Sequence, residues 1–266
     1  MKLLLLGDAH LIAEADPYKG LHRVRGFFKE AWPSFRDLLR KANDEAPDLT
    51  IMLGDLVDWF SEENIDFGLD LLSTLDHAWA MVPGNHDLER PVGGYDQTHY
   101  ENESTRDRMD YWRSLGVDLS TRTLDVDGYN LVLLDDSLSD LEDGTAAALP
   151  KLLPPDRRSL LLAHVPLDMP LIREYIVSVA PDRDLRKYVL SGAPDLYQTA
   201  ISGRVSDVFT AHLHFPGLLT DGSTRFHLQG LSTSIHDPNR NQTTVAEALV
   251  VEGGAHGVNR RVVSVD

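Results

Sequence analysis

Five short motifs along the chain carry side chains of the types that bind divalent metals. They are Asp8-Ala9-His10, Gly54-Asp55 to Asp58, Gly84 to Asp87, His164 alone, and His212-Leu213-His214. One first-row metal takes about four to six ligands from carboxylate, imidazole and amide groups, and an enzyme leaves some positions for water. The motifs offer more donors than one ion needs, which indicates two metals that share a carboxylate. The donors are Asp8, His10, Asp55, Asn85, His164, His212 and His214.

A pair of divalent metals supports a particular kind of chemistry. Two ions about 3.5–4 Å apart hold a hydroxide and clamp the oxygens of an in-line displacement at phosphorus. The spacing of His212 and His214 suits such a centre, because residues two apart on an extended segment face the same side. Each motif taken alone could instead be a turn, since Asn, Asp and Gly favour turns. Five recurrences favour one shared site over five unrelated turns.

Each motif follows a short apolar run. The runs cover residues 2–7, 49–53, 78–82, 159–163 and 205–211, and a sixth run covers 130–134. Nearly continuous hydrophobicity over such lengths is typical of strands that are covered on both faces. In open α/β sheets, ligands bind beyond the carboxyl ends of the strands. The sequence therefore predicts that the motifs meet at the carboxyl ends of parallel strands.

Helices and a strand-rich tail complete the expected architecture. One helix is predicted from about Ala31 to Ala42 and a second after an N-cap at Ser61, and strands that alternate with helices indicate an α/β fold. The apolar stripes of the two helices are Phe35, Leu38, Leu39 and Ala42, and Ile65, Leu69, Leu72 and Leu75. The segments TRFHLQGLSTS, VAEALVVEGG and VNRRVVSVD indicate consecutive strands of a second, partly antiparallel sheet.

Composition limits the class of partner. The 266 residues are 42% hydrophobic and 25% charged, and the formal net charge is -17. So acidic a surface repels a phosphate backbone along a groove, which argues against a long nucleic acid as partner. A small phosphorylated substrate stays compatible with this charge, because bound cations dominate the local field.

The absence of cysteine and of long apolar stretches narrows the class further. Without cysteine there is no disulfide, thiolate ligand or cysteine nucleophile. The N-terminal apolar run is too short for a secretory signal, and no stretch reaches the roughly 20 apolar residues of a membrane helix. A cytoplasmic protein without a membrane span is therefore expected. The sequence makes no prediction of the oligomeric state.

In this combination the motifs resemble the calcineurin-like metallophosphoesterase family. The family pattern is D-x-H, G-D-x-x-D, G-N-H-[DE], a lone H, and G-H-x-H, and residues 8–214 match it in order with every metal ligand present. One departure is Ala211, where the family usually has glycine, and its methyl group restricts the loop. The resemblance implies a single α/β domain over residues 1–266, a four-layer α/β/β/α sandwich with two mixed sheets and a metal site at the carboxyl ends of the strands.

The resemblance also divides the ligands between two metals. Asp55 is expected to bridge them. One metal is expected on Asp8, His10, Asp55 and His214, and the other on Asn85, His164 and His212. The metals implied are two divalent ions from the set Mn²⁺, Fe²⁺ (or Fe³⁺) and Zn²⁺, with the identity left open.

Catalytic roles follow from the same resemblance. A metal-held hydroxide is expected to attack phosphorus in line. His86 is expected to stabilise the transition state or to protonate the leaving oxygen, and Asp87 to orient His86 and raise its basicity. Asp58 is expected beside the ligands rather than among them. The residues expected to contact substrate are Asn85, His86, Arg23 and Arg90. The alternative for the two arginines is that they lie in solvated loops and do not contact substrate.

The motif variants favour a small-molecule phosphodiesterase. Protein phosphatases of the broader family carry Asp-Arg-Gly after the second motif and Glu at the end of the third, where this chain has Trp59-Phe60 and Asp87. The Asn-His-Asp form is similar to bacterial cyclic-nucleotide and related diesterases. A phosphomonoesterase of a small metabolite and a non-catalytic scaffold or binding subunit stay open as alternatives. Residues 165–204 either cap the site and set specificity or pack as helices against the sheet.

Overall fold

Two β-sheets form the centre of the chain. A computed structural model describes residues 1–18, 23–89, 100, 103–237, 242–254 and 257–265. The first sheet contains, in spatial order, β13 (Gly257–Val265), β12 (Ala246–Gly254), β1 (Lys2–Leu6), β2 (Leu49–Leu53) and β3 (Trp79–Val82). β1, β2 and β3 run parallel, whereas β12 pairs antiparallel with both β1 and β13.

The second sheet has a parallel centre and antiparallel edges. Its strands, in spatial order, are β4 (Arg122–Val126), β5 (Tyr129–Leu133), β6 (Arg158–Leu162), β7 (Asp207–Thr210), β9 (Thr224–Leu228) and β8 (Gly217–Asp221). β5, β6, β7 and β9 are parallel, and β4 and β8 are the antiparallel edges. A short antiparallel pair, β10 (His236–Asp237) and β11 (Gln242–Thr243), lies outside both sheets.

The C-terminal segments do not form one sheet, so that part of the sequence prediction was wrong. β9 joins the second sheet beside β7, while β12 and β13 extend the first sheet from β1. The physical reason is that β1 pairs with β2 on one side only, and its other edge is open to a further strand. The nine-residue β12 covers that edge through antiparallel pairing.

Helices cover the outer faces of both sheets. The α-helices are α1 (Trp32–Glu45), α2 (Glu62–Leu72), α3 (Asn85–Leu88), α4 (Glu103–Ser114), α5 (Thr145–Leu152) and α6 (Pro170–Val179). In the described part of the chain, the 3-10 helices Arg23–Glu30 and Leu185–Lys187 and the π-helix Tyr197–Ile201 accompany them. Ser61 caps α2 as predicted, and Leu75 lies beyond the end of that helix. Among the described residues, no helix is both long and apolar enough to cross a bilayer.

Alternation along the strands produces four layers. Leu3 and Leu5 of β1 pack between the two sheets, whereas Leu4 and Leu6 pack against Phe35 and other residues of the first helical layer. α5 and α6 contact the outer face of the second sheet in the same way. Because each leucine is fully buried, its transfer from water contributes about 2 kcal/mol. The α/β/β/α sandwich and the strands covered on both faces are therefore confirmed.

Candidate metal centre

Three parallel strands of the first sheet and two of the second deliver the predicted donors to one rim of the sandwich. Asp8 and His10 follow β1, and Asp55 follows β2. Asn85 begins α3 just after β3, and His164 follows β6. The remaining two donors, His212 and His214, follow β7. The structure thus brings together, at strand ends, all seven residues that the sequence motifs single out.

One group of donors joins the loops after β1, β2 and β7. Atoms of Asp8, His10, Asp55 and His214 lie within 4.8 Å of one another. The Nε2 atoms of His10 and His214 are 2.9 Å apart, and Nε2 of His10 lies 3.6 Å from Oδ2 of Asp55. Such convergence of two imidazoles and two carboxylates is suited to a divalent first-row metal.

A second group of donors shares Asp55 with the first. It consists of Asp55, His164 and His212, again with atoms within 4.8 Å. Nε2 of His164 lies 3.3 Å from Oδ2 of Asp55 and 3.1 Å from Nδ1 of His212. Asn85 lines the same cleft as Asp55 and His212. The two groups contain six of the seven residues of the implied ligand sets, with Asp55 common to both groups, and Asn85 is the seventh.

Hydrogen bonds on the outer side of the histidines aim their other nitrogens inward. Nδ1 of His164 donates to the carbonyl oxygen of Leu53 at 2.7 Å, and Nε2 of His212 donates to that of Lys187 at 2.8 Å. Nδ1 of His10 lies 3.0 Å from Oδ1 of Asp58. A neutral imidazole that donates through one nitrogen offers a lone pair on the other, which is the form that binds a metal. Asp58 therefore orients a ligand, as expected for a residue beside the ligand set.

Buried oxygen atoms in the site need an electropositive partner. Oδ2 of Asp8 and Oδ1 of Asn85 accept no hydrogen bond from the part of the chain that the structure describes, and Oδ2 of Asp55 has an ion-pair contact with Nε2 of His164 at 3.3 Å. The Asn85 amide presents Oδ1 to the site because its Nδ2 donates to Oε1 of Glu89 at 2.7 Å. A buried acceptor left unsatisfied costs about 1–3 kcal/mol. Divalent cations bound between the two groups would satisfy these atoms, so the donor set fits a pair of metals.

The backbone of the ligand loops is strained in a consistent way. Five of the seven donors have left-handed φ angles, which side chains other than glycine adopt at a cost of about 1–3 kcal/mol each. They are Asp8 (53°), His10 (49°), Asp55 (54°), His212 (67°) and His214 (61°). Close packing holds this arrangement, since a Cβ on Gly84 would lie 2.2 Å from Oδ1 of Asp55. Strain of this kind concentrates at functional sites.

The carboxylates make the site attractive to positive charge. Burial lowers the pKa of His164, but the neighbouring carboxylates of Asp55 and Asp8 outweigh burial and raise it to about 10. Burial alone would raise the pKa of Asp55, yet the charges of His164 and His86 hold it well below its usual range. The Asp55–His164 pair is therefore ionic in the protein without metal, and a bound cation would take the place of that proton.

His86 and Asp87 have different surroundings, although they are adjacent. His86 lines the cleft, and its Nδ1 donates to the carbonyl oxygen of Asp58 at 2.8 Å. The Asp87 carboxylate accepts the backbone N–H groups of Gly84 and Asp55 at 2.8 Å and of Val57 at 3.2 Å. These contacts assign Asp87 to holding the loop that carries Asp55, which differs from the expected task of orienting the His86 ring.

Several residues of the site carry no motif in the sequence. Glu89 holds the Asn85 amide, and its only signal is the i to i+4 spacing from Asn85. Arg25 lines the cleft and donates from Nε to Asp58 at 2.8 Å. Of the two arginines expected to contact substrate, Arg23 begins a 3-10 helix but its side chain lies outside the described part of the structure, and Arg90 lies outside it entirely.

The departure at Ala211 is accommodated by a small residue opposite. A Cβ placed on Gly7 would lie 2.8 Å from the Cβ of Ala211, closer than carbon atoms pack. Ala211 is also absent from the residues with positive φ, so the methyl group imposes no left-handed strain. The alanine therefore leaves the neighbouring loop of His212 and His214 in place.

Comparisons with solved structures agree with this fold. A dimetal phosphatase from Danio rerio superposes with a TM-score of 0.57 at 12% identity, covering 100% of this chain and 99% of that chain. Phosphopantetheinyl hydrolase (PptH) from Mycobacterium tuberculosis gives 0.51 at 15% identity, covering 86% and 89%. GAP50, described as the anchor in the inner membrane complex of Plasmodium, gives 0.51 at 11% identity, covering 99% and 84%. At such identities the likeness shows a shared fold alone.

Sequence comparison identifies the family. No curated protein matches the chain significantly. The family model for calcineurin-like phosphoesterases matches residues 1–216, which include all five motifs and every strand end that carries a donor. The chain belongs to the calcineurin-like phosphoesterase family.

Proposed function

We propose that the chain is a two-metal phosphodiesterase that acts on a small molecule. The observation that carries the proposal is the pair of donor groups that share Asp55, together with the buried oxygens of Asp8 and Asn85 that accept no hydrogen bond among the described residues. Membership of a phosphoester hydrolase family supports the reaction class. Two divalent cations, when bound, lower the pKa of a coordinated water and neutralise charge on the phosphoryl oxygens.

The chain's own residues position the substrate and handle the proton. His86 lines the cleft, and because its Nδ1 donates to the carbonyl oxygen of Asp58, Nε2 is the nitrogen that can act on a leaving oxygen. Burial lowers the pKa of His86 to about 4, so Nε2 donates a proton only from the imidazolium form. Arg25 and Arg186 also line the cleft and place positive charge beside it, which favours an anionic phosphoester in a chain that is acidic as a whole.

The shape of the cleft favours a diester over a monoester. A first lobe of about 430 Å³ contains Asn85 and His86, and a second lobe has a volume of about 540 Å³. Both lobes are lined by Lys187, Tyr188 and the ligand residue His214. A diester has two organic arms on phosphorus and a monoester only one, so two lobes beside the donor groups suit a diester. Residues within 165–204 line both lobes, and we assign that segment a role in specificity.

Two alternatives have different support. Phosphomonoesterase activity would need only one of the two lobes. A non-catalytic role is also compatible with the fold, because GAP50, which has a similar fold, is named as an anchor. The complete set of seven donors and the presence of His86 in the cleft favour an enzyme over a scaffold.

Hydrolysis of matched chromogenic substrates tests the proposal. Protein stripped of metal with a chelator and reloaded with Mn²⁺ should hydrolyse bis(p-nitrophenyl) phosphate faster than p-nitrophenyl phosphate. The stripped protein without metal is the control and should be inactive. Activity on the monoester alone would replace the diesterase with a phosphatase. Inactivity on both with Mn²⁺, Fe²⁺ and Zn²⁺ supplied in turn would favour the scaffold.

A further inference from the structure

The second lobe of the cleft is lined by both apolar and charged side chains. We call it the arm subsite, and its lining includes Arg183, Tyr188, Phe215, Leu231 and Ile235. Leu231 and Ile235 are buried and form a small apolar cluster with Phe28, whose ring lies beside that of His10. One wall of the arm subsite is therefore apolar and extends up to the donor groups.

A guanidinium that lies over two aromatic rings forms another part of the lining. The central carbon of the Arg183 guanidinium lies 4.2 Å from the ring centroid of Tyr188 and 4.9 Å from that of Phe215. Cation–π contact with two rings fixes the orientation of this group, and its N–H donors act in its own plane. Arg183 and the ligand residue His214 both line the arm subsite, so this wall lies beside the donor groups.

We propose that the arm subsite binds the ester arm that stays on phosphorus, and that this arm is a planar, largely apolar group with a hydrogen-bond acceptor for Arg183. This inference rests on the proposed phosphodiesterase function. His86 lies in the first lobe, so the arm whose oxygen it protonates is the one in that lobe. Hydrolysis forms a P–O bond to the oxygen of water and breaks the P–O bond to the first-lobe arm, which leaves as an alcohol. The product in the arm subsite is the phosphate monoester of the planar arm.

Binding of two phosphinates that cannot be hydrolysed tests the arm subsite. Diphenylphosphinate and dimethylphosphinate share the anionic head of a diester but have P–C bonds in place of ester bonds. In titration calorimetry with Mn²⁺-loaded protein, the diphenyl compound should bind about tenfold or more tightly than the dimethyl compound, because an aromatic ring is buried in the lobe. A change that affects only the binding of the shared anionic head alters both dissociation constants equally and leaves their ratio unchanged.

Variants of the walls should reduce that ratio selectively. Arg183→Ala and Phe215→Leu, measured separately, should lower it to about threefold or less, since the first removes the guanidinium and the second removes an aromatic ring from the lining. Arg204→Ala is the matched control, because Arg204 belongs to the same segment and lies outside the linings of both lobes. It should keep the ratio of the unmodified protein.

The outcomes separate this inference from the function on which it rests. Equal binding of the two phosphinates by the unmodified protein, or a ratio unchanged in both wall variants, would overturn the arm subsite while leaving hydrolysis intact. Failure of both phosphinates to bind, together with inactivity on every phosphoester, would overturn the proposed function itself.

Discussion

The structure contains two buried aspartate–histidine pairs, Asp55–His164 and Asp207–His227, and they have different surroundings. At the metal centre, Oδ2 of Asp55 lies 3.3 Å from Nε2 of His164. Near the start of β7 and inside β9, Oδ1 of Asp207 lies 2.7 Å from Nε2 of His227. All four side chains are at most 1% exposed. The two pairs are therefore alike in residue type and burial, and they differ in their place in the fold and in the side chains around them.

The Asp207–His227 pair is neutralised by the chain itself. Nε of Arg225 lies 2.7 Å from the same oxygen of Asp207, and the His227 ring stacks on Phe209 at 4.3 Å with an interplanar angle of 12°. Asp55 instead faces further ligand-type side chains from three other loops, with left-handed backbone at its own position. Asp207 and His227 also have one atom each without a hydrogen bond among the described residues. A buried atom without a hydrogen bond is thus a weak indication of a metal site, whereas the convergence of several donors at strand ends is a strong indication.

The largest expected effect is at the shared ligand. Asp55→Asn should lower kcat/KM for the chromogenic diester by about 10³-fold or more, because the amide removes the negative charge that two cations would share. Circular dichroism and the thermal midpoint should show an intact fold. Full activity of a correctly folded Asp55→Asn protein would show that the Asp55–His164 pair, like Asp207–His227, has only a structural role.

Replacement of His86 should separate catalysis from metal binding. His86→Asn should reduce kcat by about 10²-fold, as expected for loss of a proton donor, while the affinity for Mn²⁺ stays unchanged. The reduction should be smaller for a diester whose leaving group is a good one, such as p-nitrophenolate, than for an alkyl leaving group. An equal loss on both substrates, or a loss of metal, would assign His86 to the ligand set instead.

Glu89 should affect the centre through the Asn85 amide. Glu89→Ala should weaken the binding of one of two Mn²⁺ ions by about tenfold, because the amide loses the partner that turns its oxygen inward. Glu89→Gln should retain most of the affinity, since its side-chain oxygen can still accept from Nδ2 of Asn85. If Mn²⁺ affinity were the same in both variants and in the unmodified protein, the amide would be held by other contacts.

A change in the Asp207–His227 pair should alter the stability of the protein and leave its catalytic activity unchanged. Asp207→Ala should destabilise the protein by about 3 kcal/mol, because His227 and Arg225 lose their shared acceptor. Burial would raise the pKa of Asp207, but His227 and Arg225 outweigh it and lower the pKa below the usual range. Its stabilisation is therefore present above the ordinary aspartate pKa and is lost as pH falls through the lower folded value.

Denaturant unfolding at several pH values measures this contribution. The difference in unfolding free energy between the unmodified and Asp207→Ala proteins should narrow as the pH is lowered below about 4. The kcat of folded Asp207→Ala protein should be within about twofold of the unmodified value, since surface and structural changes away from the cleft leave the chemistry alone. A large fall in kcat would show that the two pairs are coupled.

Much of the fold could be predicted because burial on both faces leaves a continuous apolar run in each strand. Leu3, Leu5 and their neighbours gave this signal, and the position of each motif after a run predicted where the donors meet. The assignment of the tail strands failed, since their hydrophobic pattern does not record which sheet edge is open. Glu89 and Arg183 carry no motif, and the carbonyl oxygen of Lys187 has no residue signature at all. Contacts of that kind depend on tertiary packing.

The number of metal ions bound tests the central claim most directly. Protein stripped of metal is dialysed to equilibrium against Mn²⁺, and the metal bound per chain is measured by elemental analysis beside the Asp55→Asn variant. The two donor groups that share Asp55 predict two ions per chain in the unmodified protein and fewer than one in the variant. At most one ion in the unmodified protein, or two ions retained without the Asp55 carboxylate, would contradict a binuclear centre built on this residue.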